Sequence, residues 1–507
     1  MGSKFKVFIA LLFVLTIGAI LGCNKPTASL KTVSQSIPFN KDTELASQAL
    51  PYLKANPELT GFYPLVDGQE ALWARLALID SAQQSIDLQY YIYSDDNTSS
   101  LLTYTLYQAA ERGVRVRLLL DDMQSRNDKI LASLSRHPNI EVRLFNAFNQ
   151  RFFRIFGLKD FDRLNRRMHN KALIADGAFA ITGGRNIGDE YFSANGSIDF
   201  GDFDILTLGP IVPDISAQFD LYWNSEPASP IESIIKNIDP LSPNDVVRWE
   251  RALKAAFKGS DYIEKFSDSP LAQHVKNQTI NFHWGEARLY YDLPSKVYAP
   301  DETNLMLHEL GETLKNVNSK LLLISPYFVP TEVGTASLIK AAEQGIEITI
   351  ITNSLASNDV FAVHGWYAKY RKDLLAAGIK LYEVKVDPSL KKKRSWLGSS
   401  RTSLHAKTFI MDNRKIFVGS SNLDPRSAYL NTEMGVLIDA PGFTRLLYRG
   451  FESALKKGTY RLSLNQNNDI VWHNDLSGAS FNSEPDASIW LRIGAWMAGV
   501  LPIEDQL

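Results

Sequence analysis

Short apolar runs alternate with segments of helical spacing along this chain, and the alternation occurs twice. In each half an apolar run is followed by a helical segment that ends at a glycine, and then by a second and a third apolar run. The runs are 85–93, 114–120 and 141–145 in the first half, and 320–329, 346–352 and 380–384 in the second. Strand, helix and strand joined by short connections predict parallel βαβ units, so both halves are expected to be α/β.

The two halves share sequence as well as pattern. Ala109-Ala-Glu-Arg-Gly-Val114 matches Ala341-Ala-Glu-Gln-Gly-Ile346, so the second copy begins almost half a chain length after the first. Because solenoid repeats are far shorter, this period indicates a duplicated domain. We predict a first repeat over 59–228, a second over 296–465, and a mostly helical interdomain segment, 229–295, between them.

The N-terminal segment has the features of a secretory signal peptide. Two lysines precede an apolar stretch that is too short for a typical membrane-spanning helix. Ile20-Leu-Gly-Cys23 resembles the bacterial lipobox, in which the cysteine is lipidated and becomes the mature N-terminus. We predict a signal peptide over 1–22, followed by a lipidated Cys23 and a tether over 23–58. An uncleaved anchor helix is the alternative.

Composition excludes several classes of protein. The 507 residues carry 54 lysines and arginines against 56 acidic residues, which offers no global electrostatic case for binding nucleic acid. Cys23 is the only cysteine, so intramolecular disulfides and Cys-rich zinc sites are excluded. Asn24 rather than aspartate follows Cys23, and the lipobox resemblance therefore implies the bacterial cell envelope, at the periplasmic face of the outer membrane.

Each repeat carries one copy of a polar motif. The first copy comprises His169, Lys171, Asp176 and Asn186, and the second comprises His405, Lys407, Asp412 and Asn422. The spacing from histidine to asparagine is the same in both copies. A histidine and a lysine two positions apart on a strand point to the same face. Recurrence within a duplicated domain indicates catalysis, and no metal site is expected because lysine is a poor ligand.

The aspartates of the two motifs are predicted to be structural. Asp176-Gly177 and Asp412-Asn413 stand where two-residue hairpin turns belong, so both acids are expected to form turns and to do no chemistry. Counting back from a two-residue turn pairs Ala175 with Ala178 and sets His169 opposite Gly184.

The doubled spacing His-x-Lys-x4-Asp resembles the signature of the phospholipase D superfamily. Flanking segments resemble the bacterial cardiolipin synthase C branch of that superfamily: 163–171, 183–189, 325–330, 357–360, 424–427 and 431–435. The resemblance implies two tandem phospholipase D-like α/β domains with the active site at their interface. The predicted signal peptide and lipobox are not features associated with that branch. They leave open the compartment in which the protein acts, and hence the alcohol that accepts the phosphatidyl group.

The resemblance further implies a covalent phosphohistidine intermediate that needs no metal or other cofactor. In-line displacement at phosphorus requires one imidazole to attack and another to protonate the leaving alkoxide. By analogy with the superfamily, His169 is the nucleophile and His405 the general acid, although the sequence does not break this symmetry. The equatorial oxygens need donors already in place. The candidate donors are Lys171, Lys407, Asn186 and Asn422.

Each imidazole is expected to have an acidic partner that selects its tautomer. Asp202 follows the motif of the first copy, and Glu433 stands at a comparable place after the motif of the second. Both precede apolar strands and resemble the acids that support the family's histidines. In the first copy, Asp204 is the alternative to Asp202 for this role. Ser420 is expected either to hydrogen-bond near His405 or to fill a neutral packing position.

Residues outside the motifs favour a lipid substrate. Basic residues interleave with aromatic ones in 151–167 and 391–396, as suits an anionic lipid surface or single-stranded nucleic acid. Within a C-terminal tail, 466–507, the aromatic and weakly charged run 489–497 suits an interfacial helix and favours lipid. A helix packed on the core is the alternative.

These patterns predict a membrane-associated phosphatidyltransferase. It is expected to form cardiolipin from phosphatidylglycerol and a second phospholipid, for which phosphatidylethanolamine is a candidate, with no nucleic-acid partner. A hydrolytic phospholipase D that releases phosphatidic acid is the first alternative. A phosphodiesterase of the same superfamily acting on nucleic acid is another. A catalytically silent lipid-binding lipoprotein is the alternative outside enzymes.

Overall fold

The computed structural model describes residues 31–124, 128–148, 163, 165–192, 201–236, 238–257, 279–299, 306–386 and 404–507. The predicted signal peptide and Cys23 fall outside these residues, as do the stretch 391–396 and most of 151–167. What was predicted of those segments stays a prediction. None of the described helices combines the length and the apolar character needed to cross a bilayer.

In the described part of the chain, eight strands build each repeat, and two more follow the second. The first eight are β1 Thr60–Leu65, β2 Ser85–Tyr90, β3 Arg115–Asp121, β4 Ile140–Phe145, β5 Ala172–Ala175, β6 Phe179–Gly183, β7 Asp204–Leu208 and β8 Ala228–Pro230. The second eight are β9 His283–Tyr291, β10 Lys320–Ile324, β11 Glu347–Asn353, β12 Lys380–Val384, β13 Thr408–Met411, β14 Lys415–Gly419, β15 Met434–Asp439 and β16 Thr459–Leu464. The last two are β17 Ile470–Asn474 and β18 Ala479–Phe481.

Helices connect and cover these strands. In the first half they are α1 Glu44–Ala55, α2 Gly68–Ser81, α3 Asn97–Glu111, α4 Asp128–Leu134, α5 Asp189–Phe192, α6 Ile211–Trp223, α7 Ile231–Ile234 and α8 Pro243–Phe257. In the second half they are α9 Met306–Lys315, α10 Thr331–Glu343, α11 Phe361–Ala376, α12 Pro441–Gly458 and α13 Ile489–Val500. Short 3₁₀ turns lie at Pro294–Val297 and Glu504–Gln506, and a π-helical turn at Arg426–Leu430.

The glycine that the two copies share ends a crossover helix in each. Gly113 after α3 and Gly345 after α10 have φ of 93° and 92°, a left-handed conformation that glycine adopts without steric penalty. Each helix therefore stops at the same point, and the chain turns directly into the next parallel strand.

Strand pairing repeats between the two halves. In the first sheet the order is β8-β4-β3-β2-β5-β6-β7-β1, with β2, β3 and β4 parallel and the other pairings antiparallel. In the second sheet the order is β16-β12-β11-β10-β13-β14-β15-β9, with the same directions. Every strand of the first repeat thus has an equivalent eight strands later, which confirms the predicted duplication of an α/β domain.

The segment 229–295 departs from its helical prediction. It contains α7 and α8, but it also contains β9, which pairs antiparallel with β15 and, through Thr60↔Gly285, with β1. The strand therefore belongs to the second repeat, which begins at residue 283 rather than 296, and it joins the edges of the two sheets. Its alternation is weak, with exposed and half-buried positions mixed, and long-range pairing decided its conformation.

The predicted tether is wrong for residues 31–58. Arg117 donates to Ser34 O and Ser36 Oγ, and the Ser36 N–H donates to Asp220. Further along, α1 buries Leu45 and Ala46 in the core of the first repeat. Polar residues here satisfy buried charges instead of solvating a flexible linker, a role that composition does not reveal.

Three large clusters of buried apolar side chains stack through the described part of the molecule. One lies under α2 and α3 on the first sheet, and another lies under α11 on the second. The middle cluster combines residues of both sheets, such as Ile174 and Ile410, with α6 and α12. The two sheets therefore face each other across a shared core, and this arrangement brings the two motifs together.

Candidate active site

The two histidine segments each pair with the opposite repeat. His169 and His405 lie just before β5 and β13, and the His169 N–H donates to Thr432 O at 2.9 Å. Gly201 O accepts from the backbone N–H groups of both His405 and Ala406. Each histidine is therefore held by backbone from the repeat that carries the other, as the predicted interface site requires.

The acidic partners of the histidines are exchanged between the repeats. His169 Nδ1 lies 2.8 Å from Glu433 Oε2, and His405 Nδ1 lies 2.7 Å from Asp202 Oδ2. Order along the sequence had set each acid after the histidine of its own copy, whereas the fold pairs it with the other. Since each Nδ1 is occupied, Nε2 is the ring nitrogen available to a substrate.

Asp204 does not compete for this role. Its carboxylate bridges Arg75 and Arg185, with distances of 2.8 and 2.9 Å, and all three side chains are buried. Arg185 also donates to Asp202 O, so the network fixes the backbone at Asp202. A buried, fully paired carboxylate of this kind supports the site without touching it.

Ser420 lies on the His169 side of the site rather than near His405. Its hydroxyl donates to Glu433 Oε2 at 2.5 Å and accepts from the Met434 N–H. Asp292, which sequence reasoning missed, accepts from the Glu433 N–H at 2.9 Å and is paired with Lys296. Asp292 lies just after β9, a strand that the sequence pattern did not predict, so its place beside Glu433 could not be seen in the sequence.

Both motif lysines are buried beside the histidines. Lys171 Nζ donates to His169 O, and Lys407 Nζ donates to His405 O and lies 3.1 Å from His405 Nδ1. Burial, together with the charge of Lys407, lowers the pKa of Lys171 to about 7. Burial also lowers the pKa of Lys407. Two buried ammonium groups destabilise each other unless an anion lies between them, so this arrangement favours a bound phosphate.

The two asparagines are buried with different partners. Asn186 Oδ1 accepts from the Ile92 N–H at 3.1 Å, which directs the amide so that its NH₂ group is the side open to a ligand. The Asn422 N–H donates to Ser427 Oγ, and Asn422 Oδ1 has no hydrogen-bond partner in the described part of the chain.

The electrostatics of the two histidines differ. Burial, followed by the charges of Lys171 and Lys407, lowers the pKa of His169 well below its usual value. Burial also lowers the pKa of His405, but Asp202 opposes that effect. In spite of burial, His405 holds the pKa of Asp202 well below its usual value, whereas burial raises the pKa of Glu433 to about 7.

Two tyrosines that sequence reasoning missed contact the histidine rings. Tyr91, directly after β2, meets His169 edge to face with ring centroids 5.0 Å apart. Tyr191 of α5 meets His405 in the same manner at 5.5 Å. Tyr91 lies in the apolar run 85–93 and Tyr191 lies just after the motif segment 183–189, but contact with a ring across the site has no sequence signature. The rings fix the imidazole planes.

In both hairpins that carry the motifs, the loop between the two strands has one more residue than predicted. The Ala178 N–H donates to Ala175 O, as a two-residue turn requires, but the ladder begins at Ala175↔Phe179. The second hairpin likewise pairs Met411 with Lys415. The predicted register is therefore wrong by one position: His169 is not set opposite Gly184, because a bulge follows each turn.

The motif aspartates lie at these turns, away from the histidines. Asp176 accepts hydrogen bonds from the backbone N–H groups of Gln83, Gln84 and Ser85, at 3.0, 2.8 and 2.9 Å. Asp412 accepts equivalent bonds at the start of β10, from Asn318, Ser319 and Lys320. Both acids thus tie a hairpin to the first parallel strand of its sheet.

Replacing Asp176 by alanine is expected to lower the free energy of unfolding by about 3 kcal/mol, because three backbone donors at a buried position lose their acceptor. A shift of the urea midpoint measures this. Asp412→Ala, at the half-buried equivalent, serves as the comparison and should have a smaller effect. Loss of turnover without loss of stability in Asp176→Ala would contradict a structural role.

One acidic cluster with metal-like spacing occurs elsewhere among the described residues. His364, Glu383 and Glu484 place their ligand atoms within 4.8 Å of one another. Arg371 donates to both carboxylates, at 2.9 and 2.7 Å, so a guanidinium already supplies the positive charge that a metal would bring. This donor set does not fit a metal ion.

The paired sheets and exchanged His–acid pairs define a phospholipase D-like enzyme, and comparison with known proteins identifies its family. The profile of the family described as "Cardiolipin synthase, PLD-like domain" matches residues 76–220 and 310–455. The chain is 39% identical to cardiolipin synthase C of Escherichia coli over 91% of its own length and 99% of that protein. The chain belongs to the cardiolipin synthase family of phospholipase D-like phosphatidyltransferases.

More distant relatives agree with this assignment. A cardiolipin synthase of Oceanobacillus iheyensis is 27% identical, over 78% of this chain and 68% of that one. The crystal structure of phosphatidylserine synthase from Haemophilus influenzae superposes with a TM-score of 0.54, at 14% identity, over 82% of this chain and 92% of that one. That likeness supports the fold alone.

Proposed function

We propose that the protein forms cardiolipin by transferring a phosphatidyl group between lipids. His169 Nε2 attacks the phosphorus of a phospholipid, the bond to the headgroup oxygen breaks, and His405 gives its proton to the departing alkoxide. A hydroxyl of phosphatidylglycerol then attacks the phosphohistidine while His405 takes that hydroxyl's proton. The P–N bond breaks, cardiolipin leaves and both imidazoles return to their starting states.

The observation that carries this proposal is the exchange of acids between the repeats. Each imidazole has Nδ1 on a carboxylate of the opposite repeat, so both Nε2 atoms are available in one shared site. The lysines beside them supply positive charge for the equatorial oxygens of the phosphate. In-line chemistry at phosphorus needs these features together, and a binding protein needs none of them.

The difference between the two pairs supports His169 as the nucleophile. With its pKa well below the usual value, the His169 imidazole is neutral at neutral pH, as a nucleophile must be. Asp202, held ionised, opposes the lowering of the His405 pKa, so His405 takes up a proton more readily than His169 does, as the general acid requires. The sequence motifs are symmetric, but their surroundings are not.

The partners follow from the same chemistry. We propose phosphatidylglycerol as the acceptor and phosphatidylglycerol or phosphatidylethanolamine as the donor, reached from a membrane surface. Cardiolipin synthase C of Escherichia coli, by its name, is a lipid enzyme, which supports this substrate class.

Purified protein incubated with labelled phosphatidylglycerol, with and without phosphatidylethanolamine, tests the proposal. Cardiolipin is the expected product, and a chelator should leave its formation unchanged because the lysines supply the positive charge. Phosphatidic acid without cardiolipin would indicate the hydrolase instead. Cleavage of DNA with no lipid product would contradict both.

A further inference from the structure

The C-terminal helix α13 presents an apolar face to solvent. The outward side chains lie on one arc of the helix and are between 41% and 78% exposed: Ile489, Trp490, Ile493, Trp496, Met497 and Val500. We call these six residues the α13 face. The only charged residue in the helix, Arg492, lies off this arc and donates to Glu484 O. Isolated exposed apolar residues are ordinary, but a contiguous uncharged face marks an interaction surface.

The opposite side of α13 is packed tightly and cannot rotate to cover the face. Ala495, Ala498 and Gly499 are buried against α11. A Cβ added to Gly499 would lie 2.8 Å from Gly365 O, so the two helix backbones are in direct contact there. The orientation of the α13 face is therefore a fixed property of the fold.

The helix lies at the edge of the molecule where the catalytic residues are found. Ala495 packs on Leu355, which follows β11, and Asn353 at the end of β11 donates to Leu404 O, next to His405. The helix α13 thus lies beside the carboxyl end of β11, one of the parallel strands of the second sheet. The helix therefore lies at the edge of the second sheet that also holds the His405 segment.

Residues after the helix contact both flanks of the active site. Gln506 accepts from Asn165 of the first repeat, and Leu507 O accepts from the Arg426 N–H of the second. Arg426 in turn donates to Asn165 Oδ1 at 2.8 Å. The segment that carries α13 therefore spans the rim of the site from one repeat to the other.

We propose that the α13 face inserts into the lipid bilayer and sets the catalytic edge against the membrane surface. The inference rests on the proposed function, since the substrate then lies in the bilayer. Tryptophan is well suited to the interface between headgroups and acyl chains, and an uncharged apolar arc buried there is released from water. A protein partner would cover the edge through which lipids must enter, which disfavours a second copy of this chain as the occupant.

The test uses Trp490→Glu/Trp496→Glu, with Leu446→Glu as the matched control. Leu446 is 61% exposed on α12, a helix that starts beside Arg414 of a hairpin turn, at the edge away from the histidines. All proteins start at Asn24, after an added methionine, so that neither an N-terminal lipid nor an uncleaved signal peptide can retain them. Cosedimentation with vesicles of phosphatidylethanolamine and phosphatidylglycerol measures binding. Turnover is compared on these vesicles and on dissolved short-chain phosphatidylglycerol.

The double variant is expected to lose about tenfold or more in vesicle affinity and in turnover on vesicles, because two large apolar anchors become charged. Its turnover on the dissolved substrate should stay within about twofold of the control, since the site is untouched. Unchanged vesicle affinity would overturn the proposal, as would equal losses on both substrates. Loss of a wild-type dimer in sedimentation velocity would assign the face to a second copy.

Failure of the proposed function is distinguishable from failure of this inference. If the protein that starts at Asn24 binds vesicles through α13 but converts no short-chain phosphatidylglycerol, the assignment of the reaction fails and the docking surface stands. If it converts the dissolved lipid but binds vesicles regardless of α13, the reaction stands and the docking surface fails.

Discussion

Replacement of His169 or His405 by alanine is expected to lower kcat for cardiolipin formation by about 10⁴-fold or more, because each removes a group that forms or breaks a bond. Both imidazoles lie in the shared site with Nδ1 on a carboxylate of the opposite repeat. Neither variant should unfold, since an alanine at these positions keeps the backbone bonds to Thr432 and Gly201. His308→Ala, at an exposed position of α9, is the matched control and should retain full activity.

A donor lipid with a p-nitrophenyl headgroup separates the two roles. Its leaving group departs without a proton, so His405→Ala should still release one equivalent of p-nitrophenolate in a burst, whereas His169→Ala should release none. In the first variant the phosphoryl group is expected on His169, where peptide mapping would find it. A burst from His169→Ala, or an adduct on His405, would reverse the assignment.

The second large effect is expected at the exchanged acids. Glu433→Gln should lower kcat/KM by about 10² to 10³-fold, because the uncharged amide no longer stabilises the positive charge that His169 acquires on attack. Asp202→Asn should lower it by a similar factor for a different reason. Without the Asp202 carboxylate the pKa of His405 falls further, so less of the general acid carries its proton at neutral pH.

The pH profile distinguishes these two effects. An ionised Glu433 accepts the Nδ1 proton of His169 and leaves Nε2 free to attack, whereas a protonated Glu433 donates to Nδ1 and forces the proton onto Nε2. Because the pKa of Glu433 is raised to about 7, kcat/KM of the wild type should fall as pH drops below that value. Glu433→Gln should lose this acidic limb.

Asp202→Asn should keep the acidic limb and show its alkaline limb at lower pH than the wild type. The measurement is kcat/KM against pH for both variants. Asp439→Asn is the control, because Asp439 pairs only with the exposed Arg414 in the contacts described. Identical pH profiles for wild type and Glu433→Gln would contradict the tautomer argument.

Much of the fold was predictable because the duplication gives most helices and strands an equivalent in the other half of the sequence. The strands 115–121 and 347–353 are short apolar runs that follow equivalent helices, and their shared glycine marks the end of each helix. The strand β9 was missed because its pattern is mixed and its pairing with β15 lies far away in the sequence. The ordered segment 31–58 was missed because its polar residues pair with buried charges such as Arg117.

The sequence by itself determined the chemistry of this protein. Two His-x-Lys motifs at equal spacing identified the residue types, the duplication and the family, since these depend on local order along the chain. Tertiary structure alone decided which acid serves which histidine, that Ser420 supports Glu433, and that α13 turns an apolar face outward. The physical reason is that Glu433 and His169 lie far apart in the sequence, in different repeats, and only the packing of two sheets against one core brings them to 2.8 Å. The difference between the two histidines has the same origin, because burial and neighbouring charge, rather than residue identity, lower their pKa values.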